Sequence, residues 1–345
     1  MSDIDPLAGK LPITLITGFL GSGKTTLIGK LLRHPGMNRA AVIINEVGEI
    51  GIDHDLVSTV DENMSLLANG CICCSVRTDL QDSLRQLFGQ RRAGQIPNFD
   101  RVFIETTGLA DPAPVVQTLS SDTLIHTHFR LDGLVTLVDA CHGQDTLARH
   151  SEALKQAAMA DRLFITKIDL VSPMVLQDLS AELKALNPQA DQHQVRHGEI
   201  DPDLLTGLGL HSARDSQQTL AFLGEPLSEQ GSDPEGGKYL GQLPSRHDPS
   251  IRTLSLRIQE PFRWEGFSAA LELLTTLRGN DMLRLKGIVN VQGQAVVVQG
   301  VQHIFSPPVP LTHWPSGDRD TRLVFITRNI SAQSIRQLLS AVNHL

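Results

Sequence analysis

The chain has no apolar run near the roughly 18 residues that a bilayer-spanning helix needs, so no membrane span and no membrane partner are expected. It also lacks a basic cluster beyond the pair Arg91-Arg92, and 38 acidic against 30 basic side chains leave a formal net charge of -8. Without a field of cations to displace counterions from phosphates, nucleic-acid binding is disfavoured as a main function. The opening Met1-Ser2-Asp3-Ile4-Asp5-Pro6 carries two acids and no basic stretch ahead of an apolar one. That layout predicts no signal peptide and a cytoplasmic location. Four cysteines in 345 residues are too few for a disulfide scaffold, which leaves thiolate chemistry or metal binding as their expected use.

What is present is ordinary globular composition, 41% hydrophobic and 20% charged, in a chain long enough for one large and one small domain. The β-branched run Leu11 to Thr17 reads as a buried strand, and Thr26 to Leu32 as a helix. Between them lies Gly18-Phe19-Leu20-Gly21-Ser22-Gly23-Lys24-Thr25, a phosphate-binding loop in its proper strand-to-helix setting. Gly18, Gly21 and Gly23 let the backbone, with Ser22, approach phosphate, and the helix start adds unpaired N–H groups and a favourable dipole. Lys24 is expected to reach the β/γ-phosphates and Thr25 to offer a hydroxyl to Mg2+. Thr26 either joins them or simply begins the helix.

Two further strand ends complete a nucleotide site. Arg101 to Glu105 ends on a carboxylate followed by Thr106-Thr107-Gly108, where Glu105 can organise magnesium and water and Gly108 can sense a γ-phosphate through its N–H. Glu in place of Asp leaves a water-mediated role open, as well as that of a solvated strand-end acid. Leu163 to Thr166 leads into Lys167-Ile168-Asp169. A carboxylate at Asp169 can accept from both N1–H and the exocyclic amine of guanine, whereas adenine presents an acceptor at N1, so GTP or GDP is the expected ligand, with Lys167 lying over the base. Asp139, at the end of the strand Leu134 to Val138, is expected to close a loop rather than to contact nucleotide.

Three of the four cysteines stand within four positions, Cys71-Ile72-Cys73-Cys74, after the turn signal Asn69-Gly70 and before Ser75 to Leu80, which can start a helix. Three thiolates suit a tetrahedral Zn2+ that needs one more donor: water, Glu46, Glu49, a histidine or a partner's side chain. Cu(I), a redox pair and buried small hydrophobes are the competing uses. Asp53 and Asp55 fit a switch-loop role only weakly. His126 and His128 would share a face if extended, with no further ligand nearby. The cysteine loop can bind metal alone or recruit a donor across a homo-oligomer.

As a set, Gly18 to Thr25, Asn45-Glu46-x-Gly48-Glu49, Cys71-x-Cys73-Cys74, Glu105-x2-Gly108-Leu109-Ala110-Asp111-Pro112 and Thr166-Lys167-x-Asp169 resemble the CobW-type family of P-loop GTPases over nearly the whole chain. The resemblance implies that Lys24 and Thr25 engage phosphate and magnesium, that Glu105 holds the Walker B position, that Asp169 reads guanine, and that metal sits at the Cys-x-Cys-Cys motif with Glu46 as an added ligand. It implies a zinc-binding GTPase that passes metal to a client metalloprotein or metal-insertion complex. The alternatives are a Co2+-handling accessory GTPase of cobalamin biosynthesis and a regulatory binding protein that transfers no metal. The long histidine-rich tract of some members is absent.

The expected fold is α/β: a P-loop GTPase domain with a mainly parallel sheet over 1–212, a linker or mobile segment over 213–250 marked by Glu229 to Gly237, and a smaller α+β domain over 251–345. In that last domain a strand at Ile251 to Ile258, a helix at Trp264 to Leu277, a hairpin around Gln292-Gly293 reaching Phe305, a strand at Thr321 to Thr327 and a helix at Ser331 to Leu339 are expected. Arg284, His303, Trp314 and Arg319 form no complete catalytic group there.

Overall fold

The computed structural model describes residues 9–37, 39–45, 57–61, 64–67, 72–75, 80–210, 216–223 and 251–343. Contacts divide them into two units. One gathers Gly9–Ser180 with Asp191–Gly209, the other Ala181–Ala190 with the residues from Leu210 onward.

The first unit is built on a nine-stranded sheet. Its strands are β1 (Leu11–Gly18), β2 (Ala40–Asn45), β3 (Val57–Asp61), β4 (Met64–Leu67), β5 (Ile72–Ser75), β6 (Arg101–Thr106), β7 (Phe129–Asp139), β8 (Arg162–Thr166) and β9 (Asp191–Val195). The spatial order is β3-β4-β5-β2-β6-β1-β7-β8-β9. From β5 across to β9 every pairing is parallel, while β4 and β3 add an antiparallel edge. The mainly parallel sheet agrees with the sequence; the antiparallel edge was not foreseen.

β1 is buried along nearly its whole length, mostly apolar with Thr14 and Thr17 between, as a parallel strand covered on both faces is. On one face Ile16 joins Phe103, Phe164, Leu27, Ile28 and Leu31 in a single buried cluster. Leu27, Ile28 and Leu31 come from α1 (Lys24–Leu31), where spacings of three and four put them on one side of the helix. Losing a ring from the centre of such a cluster costs roughly 3–5 kcal/mol, so this packing fixes where β1 ends and α1 begins. The remaining helices of this part of the chain are α2 (Leu80–Arg92), α3 (Ala113–Ser121), α4 (Thr123–His128), α5 (Gly143–Arg149), α6 (Ser151–Met159) and α7 (Pro173–Leu186).

Two local expectations are corrected. Of the segment Ser75 to Leu80, expected to start a helix, Leu80 does begin α2, but Ser75 still belongs to strand β5, which pairs with β2 on one side and β4 on the other, and 76–79 lie outside the described residues. His126 and His128 lie on α4, where two residues span about 200° of rotation, so they do not share a face. His128 stacks on Phe88 with ring centroids 4.3 Å apart.

The second unit carries an antiparallel sheet in the order β10-β15-β11-β12-β13, with β14 on β12. These are β10 (Ile251–Ile258), β11 (Met282–Val291), β12 (Gln294–Val301), β13 (Ile304–Phe305), β14 (Val309–Pro310) and β15 (Thr321–Arg328). Helices α9 (Trp264–Arg278) and α10 (Ala332–Asn343) bury Phe267, Leu271, Ile335 and Leu339 against Leu254 and Phe325 of this sheet. The strand expected to run from Gln294 to Phe305 is split at Gln302, whose φ of 53° breaks extended geometry. Within the stretch expected to be a linker, Ser216–Leu223 forms α8, and its Phe222 is buried with Ile288 and Val297. Trp314 packs against that cluster and donates Nε1–H to the Gly293 carbonyl at 2.9 Å, a packing role as the sequence suggested. Among the described residues no helix is long and apolar enough to cross a membrane.

Candidate nucleotide and metal site

Gly18 ends β1 with φ 145°, and a Cβ there would stand 2.5 Å from the Leu137 carbonyl oxygen and 2.6 Å from Ser22 Oγ. Only glycine fits. Gly21 and Gly23 take φ of 74° and 93°, so the loop curls back and α1 starts from a left-handed residue. The first turn of α1 contains no acid, which leaves its N–H groups to an incoming anion. Ser22 is buried within the loop. Lys24 is buried too, and its Nζ donates to the loop's own carbonyls, Gly18 at 2.8 Å and Phe19 at 3.3 Å. A phosphate oxygen can replace those acceptors with little movement of the ammonium.

Glu105 lies in register with Ile16 near the end of β6, and it is fully buried. Thr25 Oγ1 donates to Glu105 Oε1 at 3.3 Å, which joins the two hard oxygen donors named from sequence 80 positions apart. Thr106 Oγ1 donates to Thr17 Oγ1 at 2.8 Å and ties β6 to β1 just beyond them. Gly108 follows against the phosphate loop, since a Cβ on it would meet Leu20 N at 2.8 Å. Thr26 is exposed, and Gly198 lies over it, at a distance where a Cβ would meet Thr26 Cγ2 at 3.1 Å.

The end of β8 reaches the same loop. Thr166 Oγ1 donates to the Ser22 carbonyl at 2.8 Å. Lys167 then takes a left-handed conformation, φ 55°, before the short 3-10 turn Ile168–Leu170, which leaves Asp169 exposed. Lys167 Nζ meets Asp139 Oδ2 at 2.8 Å, and Asp139 Oδ1 accepts from the Cys141 amide at 2.7 Å. Asp139 thus closes a loop, as its position suggested, and it also holds the lysine of the Thr166-Lys167-x-Asp169 segment. Burial works against its ionisation, but hydrogen bonds from Lys167, the Cys141 amide and His142 outweigh it and hold the carboxyl below the ordinary range. Burial first, and then the charge and hydrogen bond of Asp139, push the Cys141 thiol up.

Sequence reasoning missed α6. Gln156 is buried and donates through Nε2 to the carbonyls of Gly108 at 3.2 Å and Ala110 at 3.0 Å. Lys155 pairs with Asp111 at 3.1 Å. No motif marks these two side chains; an amide and a lysine in a helix read as solvated surface.

Of the metal candidates, Cys73 and Cys74 lie on β5, in register with Val42 and Ile43 of β2. Their neighbour Ile44 is in register with Glu105. The cysteine strand is therefore separated from the Glu105 strand by β2 alone, about 10 Å at ordinary strand spacing. Cys71, Glu46, Glu49, Asp53 and Asp55 lie outside the described residues. Among the described residues no group of three or more histidine, cysteine or acidic side chains could hold a metal ion.

The profile of the CobW/HypB/UreG nucleotide-binding domain matches residues 12–194, and that of the cobalamin synthesis protein CobW carboxy-terminal domain matches residues 251–343. The chain is 31% identical over 332 residues to the zinc chaperone YjiA of Escherichia coli, covering 94% of this chain and 96% of that protein. It is likewise 31% identical over 359 residues to the zinc chaperone CobW of Pseudomonas aeruginosa, covering 96% and 91%. The crystal structure of Zn(II)-bound YjiA GTPase from E. coli matches with a TM-score of 0.73 and 30% identity, over 96% of this chain and 99% of that one.

Proposed function

We propose, from the premise that this chain belongs to the CobW/HypB/UreG family of nucleotide-binding proteins and carries the CobW carboxy-terminal domain, that it is a zinc-binding GTPase that couples GTP binding and hydrolysis to transfer of the metal to a client protein. The observation that carries the reading is the strand order β5-β2-β6. One sheet holds the Cys73-Cys74 strand, the strand leading toward Glu46, and the Glu105 strand whose carboxylate takes the Thr25 hydroxyl. A shift of the loops at the ends of these strands on nucleotide exchange would alter the thiolate surroundings directly.

In this reading Gly18, Gly21, Ser22 and Gly23 wrap the phosphates, Lys24 exchanges the Gly18 and Phe19 carbonyls for β/γ-oxygens, and Gly108 offers its N–H to the γ-phosphate. Lys167 and Asp169 hold the guanine. Thr25 and Glu105 supply the hard oxygen donors that suit Mg2+, which when bound neutralises charge on the β- and γ-phosphates. The reaction is hydrolysis of GTP to GDP and phosphate at a slow rate, with water attacking the γ-phosphate. Zinc is cargo, taken by Cys71, Cys73 and Cys74 with Glu46 or a donor from a second copy completing four ligands. The zinc chaperone names of the relatives favour zinc over cobalt.

Zinc affinity measured by chelator competition at fixed pH, with GDP and with a non-hydrolysable GTP analogue and with mass followed in parallel, tests the coupling. The Cys71→Ser, Cys73→Ser, Cys74→Ser triple variant is expected to lose tight zinc binding and the wild type to bind zinc differently in the two nucleotide states. Unchanged affinity in the triple variant removes the metal assignment; equal affinity in both nucleotide states removes the coupling.

A further inference from the structure

We propose that Gln156, with Lys155 beside it on α6, positions the Gly108–Asp111 segment against the phosphate-binding loop and so sets how strongly the site prefers a nucleoside triphosphate over a diphosphate. The inference rests on the guanine-nucleotide reading above and adds to it the side chains that govern its response to the third phosphate.

The segment is held from two sides. Toward the phosphate loop, Gly108 touches Leu20 so closely that a Cβ would lie 2.8 Å from the Leu20 nitrogen and 2.9 Å from its Cα. From the other side, Gln156 Nε2 reaches two carbonyls of one turn at once, those of Gly108 and Ala110. Two carbonyl oxygens can be satisfied only by the NH2 end of the amide, so its orientation follows from chemistry. Its Oε1 is left buried without a hydrogen-bond partner among the described residues. One residue earlier, Lys155 Nζ pairs with Asp111 Oδ2, while Asp111 Oδ1 accepts from the Ala113 amide at the start of α3. Helix α6 is itself anchored to the sheet, because Thr136 Oγ1 donates to the Gln156 backbone carbonyl at 2.7 Å. The residue just before it, His150, stacks on Phe19 of the phosphate loop with ring centroids 4.5 Å apart.

The Gly108–Leu109 peptide, directly after the one that carries the Gly108 N–H, is thus held by a helix whose preceding residue touches the loop it must cooperate with. A diphosphate does not extend to Gly108, whereas a γ-phosphate needs the Gly108 N–H in place. Fixing the carbonyls of that segment in advance removes part of the ordering that a triphosphate would otherwise have to impose.

The test compares labelled GDP and a non-hydrolysable GTP analogue, with Mg2+, on the full-length wild type, Gln156→Leu and Lys155→Met. Leucine keeps the bulk and deletes the two donors together with the buried, unpartnered Oε1; because the Gly108 and Ala110 carbonyls lose this partner some stability is lost, so the ratio of the two affinities is what is read. In Gln156→Leu the analogue is expected to bind roughly fivefold or more weaker while GDP changes by less than about twofold, as the loss of one or two hydrogen bonds implies. Lys155→Met should shift the ratio in the same direction by less. Equal losses for both nucleotides, or an unchanged ratio in either variant, overturn the proposal. Should Gln156→Leu fail to melt cooperatively, the partly exposed Lys155→Met alone decides it by the same ratio. Wild type that binds neither nucleotide would instead overturn the guanine reading itself.

Discussion

Lys167 and Asp139 meet at 2.8 Å across 28 residues of sequence, one at the end of β8 and the other at the end of the adjacent strand β7. The pairing explains how a lysine with a left-handed backbone is kept in one place beside Asp169: the neighbouring strand supplies the counter-charge. Replacing Asp139 by Asn keeps the shape and removes the charge. Because the pair is only partly exposed, guanine-nucleotide affinity is expected to fall about tenfold, which corresponds to about 1.4 kcal/mol. Fluorescent-GDP titration measures it; an unchanged Kd would mean that Lys167 is held by something else.

The same carboxylate gives a pH signature. Its folded-state pKa is depressed below the ordinary value, so its contribution to stability is complete above the unfolded pKa and disappears as pH falls through the folded one. The stability gap between wild type and Asp139→Asn in urea is therefore expected to hold steady from pH 7 to about 5 and to narrow below about 4. A gap that instead widened on acidification would contradict the assigned direction.

The exposed Asp169 makes a chemical prediction independent of packing. Its two carboxylate oxygens can accept from guanine N1–H and the 2-amino group, whereas xanthine carries a carbonyl at that second position. Asn can donate its NH2 to that carbonyl. Asp169→Asn is expected to weaken GTP binding by about 100-fold or more and to improve XTP binding, read by competition between the two. Parallel loss of both would show that the residue supports the loop and does not read the base.

These residues differ in how visible they were. The phosphate loop was legible because glycine at fixed spacing, a lysine and a strand-to-helix change are all local signals, and the φ values at Gly21 and Gly23 are what that pattern requires. The β11–β12 hairpin was equally readable from Gln292-Gly293, which turns with φ of 52° and 95°. Strand β5 was not, since a four-residue segment rich in cysteine has no periodicity and owes its conformation to β2 and β4. Gln156 escaped for a related reason. Its role depends on two carbonyls nearly fifty positions away in sequence, and carbonyls leave no trace in side-chain patterns.

Thr25 offers the sharpest separation between binding and chemistry. Its hydroxyl donates to Glu105, whose side chain is buried, and in the proposed reading these two oxygens are the donors offered to the cation that accompanies the phosphates. Removing the hydroxyl in Thr25→Ala leaves the glycine backbone, the α1 N-terminus and Lys24 in place. Those groups bind phosphate without help from a cation. GDP affinity measured in EDTA is thus expected to match wild type, while the gain that wild type shows on adding Mg2+ should shrink to near nothing and GTP hydrolysis should fall by about 100-fold or more. Thr25→Ser, which retains the hydroxyl, should restore both. If the alanine variant keeps the full Mg2+ gain, the cation is held elsewhere and the Thr25–Glu105 contact is only a packing bond between β6 and α1.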